Sequence, residues 1–128
     1  MDETELKHRT KQFALRCMRL ADSLPKTRAG NVIANQLTRC GTSVGANYRA
    51  ACRGRSQADF LAKLGVVEEE TDEAGFWMEL IVESGMKTPS VVQPLHDEAD
   101  QLVRIIIASI KTMRRAIQNP KSKIQSPP

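Results

Sequence analysis

The sequence predicts an all-α domain of four amphipathic helices around one aliphatic core. Three observations carry this reading. Four segments place apolar residues at alternating steps of three and four, the spacing of one helical face. No stretch shows the sustained period-two alternation, bounded by turn residues, that marks a strand. Hydrophobic residues make up 41% of the 128 residues but aromatics only 4%, so one domain's core must be built from Leu, Ile, Val, Ala and Met.

The first run is Phe13, Cys17, Leu20 and Leu24, stopped by Pro25. The second is Ile33, Leu37, Cys40, Val44, Tyr48 and Ala51. It passes through the glycines of "RCGTSVGANYR" without losing phase, although each interior glycine costs about 1 kcal/mol relative to alanine. The third run opens at "SQAD", where Ser56 and Asp59 resemble a capping box with Asp in place of Glu. It continues through Phe60, Leu64, Val67, Thr71, Ala74, Met78 and Ile81, and Gly85 is its expected C-cap. The fourth run, Leu95, Ala99, Leu102, Ile106, Ser109, Met113 and Ala116, is expected to start just after Pro94. The helical region is read as residues 1–117. Residues 118–128, "QNPKSKIQSPP" from Gln118, lack periodicity and are expected to form a flexible tail.

The glycine-rich second run raises the question of a phosphate loop. Such a loop would break the register and follow a strand, and neither GxxxxGK[ST] nor GxGxxG occurs. Gly41 and Gly45 instead lie four apart on one helical face, forming a notch for close helix approach. The notch serves packing within the domain, a contact between subunits, or approach of a ligand. Asn47 and Tyr48 belong with these glycines as residues shaping helix contacts, and Asn47 beside the stripe suits a buried hydrogen bond. Trp77 borders the third stripe and is expected to anchor a core or an interface.

A second stripe on the same helix carries charge. Arg39, Thr42, Ala46, Arg49 and Arg53 step by 3, 4, 3 and 4, with Arg55 extending the row at the turn. Helical rise spreads Arg39 and Arg53 over about 21 Å, a span that meets several phosphates of a nucleic-acid backbone. The bland counterpart is a solvated or salt-bridged face. Charge is also segregated along the chain. Residues 1–55 hold 11 basic and 4 acidic side chains, residues 56–103 hold 2 and 11, and residues 104–128 hold 6 and none. Arg16 and Arg19 of the first helix and Arg114 and Arg115 of the last join the candidate nucleic-acid-binding set. With few aromatics to stack on bases, backbone or shape reading of structured RNA fits better than single-strand binding.

Several functions are set aside. The acidic run "EEETDEAGFWMELIVE" pairs Glu69 with Glu73 and Glu68 with Asp72, but a di-iron bundle needs Glu-x-x-His motifs from two helices. Only His8 and His96 occur, and Glu5 to His8, the one match, lies near a terminus expected to fray. Cys17, Cys40 and Cys52 suit neither a disulfide framework nor a CxxC metal site. No nucleophile-base set is present, so neither catalysis, a cofactor nor a metal is expected. The charged N-terminus and the lack of an apolar run of about 18 residues predict a cytoplasmic, non-membrane protein.

The segments "SLPKT", "GTSVGANYR", "RSQADFLAKL" and "EEETDE…W…L", with "EADQLVRIIIASIKTMRR", resemble the four-helix-bundle family encoded in intervening sequences of bacterial 23S rRNA genes. The likeness covers about residues 10 to 117. It implies an antiparallel up-down four-helix bundle that assembles as a homopentamer and has no established enzymatic activity. The chain is also similar to accessory variability proteins of diversity-generating retroelements, which implies nucleic acid and a reverse transcriptase as partners. Ala50 departs from the acidic residue often found after "NYR", leaving Arg49 and Arg53 less neutralised, and Gly75 inside the third helix is a second departure. Two functions are therefore expected, a non-enzymatic nucleic-acid-binding bundle or a protein-interaction adaptor whose charges serve docking.

Overall fold

A computed structural model describes residues 1–118. Four helices follow in order, α1 (Glu3–Asp22), α2 (Arg28–Cys52), α3 (Gln57–Glu83) and α4 (Pro89–Gln118), and the described residues contain no strand. Connections of four or five residues force each helix back along its predecessor, giving an antiparallel up-down four-helix bundle. The expected tail, apart from Gln118 at the end of α4, lies outside the described residues. No described helix is long and apolar enough to cross a membrane.

Local chemistry fixes each helix end. The Asp2 carboxylate accepts from the Glu5 N–H at 2.8 Å and starts α1. Thr27 starts α2 by accepting from Gly30 N–H at 3.1 Å. Gly30 is obligatory there, since a Cβ would run into the Pro25 carbonyl. Ser56 accepts from Asp59 N–H at 3.1 Å, as the sequence suggests, and opens α3. At the other end Gly85 adopts φ +82°, with Met86 N–H on the Ile81 carbonyl and Gly85 N–H on that of Val82. This is a Schellman closure, and glycine supplies its left-handed residue without penalty.

The core is continuous. Phe13, Cys17, Leu37, Cys40, Val44, Leu64, Val67, Ala74, Met78, Ile81, Leu102 and Ile106 are fully buried, all of them from the four stripes. Two helix starts differ from expectation. Helix α1 begins at Glu3 rather than fraying, because Leu6 and Thr10 continue the buried stripe below Phe13, and Thr10 satisfies its hydroxyl on the Leu6 carbonyl at 2.9 Å. Helix α4 begins at Pro89, and Pro94 lies inside it. Pro89 suits the first helical position. The bond that Pro94 cannot donate is offset by burying Val92 and Leu95 in the core. Past Ile106 the buried stripe passes through Ile110, while Ser109 bonds the Ile105 carbonyl.

Helices α1 and α4 close the bundle through a charged clasp. Arg9 Nε and Nη2 donate to the two carboxylate oxygens of Glu98 at 2.8 and 2.7 Å, and Nη2 also reaches Gln101 at 2.9 Å. Both partners are largely shielded from water, and the bidentate bond raises the Arg9 guanidinium's pKa further.

Candidate functional site

A groove of about 600 Å³ lies between α1 and α2. Its floor is made of small residues, Ala14 from α1 and Thr42, Gly45 and Ala46 from α2. The floor is low because the helices approach closely. A Cβ on Gly41 would stand 2.5 Å from Cys17 Cβ, and one on Gly45 would stand 3.3 Å from the Thr10 carbonyl oxygen. The glycine notch therefore faces α1 of the same chain. Basic groups line the groove: Lys7, His8 and Lys11 from α1, Arg49 and Arg53 from α2. Lys7 is 3.3 Å from Glu3, whereas Lys11, Arg49 and Arg53 have no ion pair among the described residues.

The arginine row divides along α2. Arg49 and Arg53 line the groove, but Arg39 turns to the other flank and pairs with Glu70, at 3.1 Å, and with Glu73 of α3. It is thus a salt-bridged residue and not part of a continuous cationic row. Arg55 is exposed in the α2–α3 connection. Arg16 and Arg19 border a separate depression of about 300 Å³ between α1 and α4, with Leu20, Ser23, Val91 and Leu95. Arg114 and Arg115 are exposed near the end of α4 and do not line the α1–α2 groove. Sequence reasoning missed Lys7 and Lys11. Their i, i+4 spacing on a helix extended back through Leu6 was the available signal.

The packing residues are locally satisfied. Tyr48 is buried, and burial pushes its hydroxyl well above the ordinary phenol range, aided by a hydrogen bond with Cys52. Asn47 is half-buried and donates to the Ser43 carbonyl and hydroxyl at 3.0 and 2.8 Å. Trp77 Nε1 donates to Glu73 at 3.0 Å, and its ring meets the exposed Phe76 edge-on at 5.2 Å. Glu73 is thereby shared between Arg39 and Trp77.

Cys40, Glu70 and Glu73 bring ligand atoms within 4.8 Å of one another. They do not fit a metal. Arg39 already supplies the positive charge, and burial pushes the Cys40 thiol up to about 12, so it stays protonated.

The family model described as 23S rRNA-intervening sequence protein matches residues 2–108. A crystal structure of a protein of unknown function from the S23 ribosomal protein family of Bacteroides thetaiotaomicron is 30% identical, with a TM-score of 0.78. The alignment covers 83% of this chain and 98% of that one. No match is found among curated proteins.

Proposed function

This chain belongs to the 23S rRNA-intervening sequence protein family, and we propose that it binds the phosphate backbone of structured RNA or DNA through the α1–α2 groove, without catalysing a reaction. The observation that carries this reading is the convergence of Lys7, Lys11, Arg49 and Arg53 on a floor of small residues. Small floor residues let a backbone approach, and Lys11, Arg49 and Arg53, which have no carboxylate partner among the described residues, are available to phosphates. The carboxylates that could have neutralised α2 are engaged with Arg39 instead.

The test is binding of the purified protein to an RNA hairpin and a DNA duplex across salt concentrations. Four phosphate contacts per groove give a log–log slope of about −3.6 on duplex DNA, hence about a 150-fold loss of affinity between 50 and 200 mM salt. With Arg49→Ala and Arg53→Ala together the slope should fall to about −1.8. Absence of binding at low salt, or an unchanged slope in the double variant, would leave these cations to protein docking, including a partner such as a reverse transcriptase.

Assembly as a homopentamer belongs to the same proposal. The exposed Leu15, Met18, Val32, Phe76 and Val91 support association of copies. Light scattering should then give five times the 14.2 kDa chain, about 71 kDa. A mass near that of one chain would refute assembly while leaving the groove intact.

A further inference from the structure

His96 lies on α4 at its contact with α3, away from the basic groove. One ring edge is tied across that contact, with Nε2 2.9 Å from Glu79 Oε2. A carboxylate at that distance only accepts, so Nε2 carries the hydrogen. The other edge lacks a partner. Nδ1 is buried and makes no hydrogen bond, and the nearest oxygen of Asp100, one turn further along α4, is 3.7 Å away. Asp97 joins the same cluster, and ligand atoms of His96, Asp97 and Asp100 all lie within 4.8 Å of one another. Gln93 Nε2 donates to Asp97 Oδ1 at 2.8 Å, which orients that carboxylate and leaves its second oxygen for another partner.

With Nε2 tied to Glu79, Nδ1 is the ring nitrogen left to the cluster with the two carboxylates. Gln93 donates to Asp97 alone, and among the described residues no hydrogen-bond donor reaches Nδ1. Buried polar atoms left without partners are rare, and this one faces negative charge. The missing element is a cation. A histidine whose far N–H is held by a carboxylate is also the usual arrangement around a bound metal, because the outer carboxylate fixes the ring and raises its basicity.

We propose that His96 Nδ1, Asp97 and Asp100 bind a divalent transition-metal cation of the zinc type, with Glu79 as the outer carboxylate. One imidazole and two carboxylates suit Zn²⁺, and water completes its coordination. All three ligands stand on α4, and the Glu79 bond transmits the ion's hold to α3.

The test is titration of the full-length protein with ZnCl₂, carrying Cys52→Ser so that the partly exposed thiol cannot compete. Calorimetry should show one site per chain, and the ¹⁵N resonance of His96 Nδ1 should move far more than that of Nε2. The melting temperature should rise by about 10 °C when free Zn²⁺ stands 100-fold above Kd. Glu79→Gln should weaken binding about 10-fold, the scale of a lost outer partner. His96→Asn should abolish it. The proposal is overturned if millimolar zinc leaves the His96 resonances unmoved, or if His96→Asn binds zinc as tightly as the parent. The resonance measurement decides the matter without any His96 variant needing to fold. Failure here leaves the phosphate groove untouched, because the two sites share no residue.

Discussion

Phe13→Ala should destabilise the bundle by about 3–5 kcal/mol, read as a lowered midpoint of urea denaturation at unchanged slope. The ring is fully buried at the middle of α1, within the core shared with the other helices. Truncation removes its transfer free energy and leaves a cavity that stiff neighbouring helices close only in part. Against a total of about 5–15 kcal/mol for a domain, that is a large fraction. Phe13→Leu, which keeps most of the volume, should cost less than half as much. A loss below about 1 kcal/mol for the alanine variant would mean that α1 does not insert this ring into the core.

Gly41→Ala and Gly65→Ala should move stability in opposite directions. Both sites are helical and exchange glycine for the best helix former, a gain of about 1 kcal/mol each. At Gly65 the added methyl meets nothing within 4 Å beyond its chain neighbours and its own helix backbone, so that gain should survive. At Gly41 the methyl would sit 2.5 Å from Cys17 Cβ and 2.7 Å from its sulfur. A rotamer change can move the sulfur but not the Cβ, so the two helix axes must separate along their contact. Overpacking of this kind costs about 1–3 kcal/mol, and separation also loosens contacts on either side. A net loss of about 1–2 kcal/mol is expected for Gly41→Ala, measured by the same denaturation. Stabilisation at both positions would contradict the close approach of α1 and α2.

These two predictions rest on features of different legibility. The stripes of α2 and α3 could be read residue by residue because spacing alone selects a helical face, and Leu37, Val44, Leu64 and Met78 are buried accordingly. The start of α1 was hidden by Thr10, a polar residue in a core position that is tolerated because its hydroxyl turns back onto its own helix. Pro94 misled for a related reason. A proline's penalty is local and visible in sequence, whereas the burial of Val92 and Leu95 depends on where α3 lies. The groove was half legible. Arg49 and Arg53 could be placed on one face of α2, but which α1 residues oppose them depends on helix pairing. Arg39 left the row for a partner 31 residues away, a matter of register between α2 and α3 that no window of sequence contains.

That diversion of Arg39 makes α2 a divide, with positive charge gathered on its α1 flank and the acidic α3 on the other. A molecule built this way has a permanent dipole moment across its width. An approaching polyanion exerts a torque on it, turning the groove forward and the α3 side away before contact. The effect raises the fraction of productive encounters at low ionic strength, and it fades once separation exceeds the Debye length, about 8 Å at physiological salt. Reversing Arg39 would therefore alter how the protein is oriented on arrival, even though Arg39 is outside the groove.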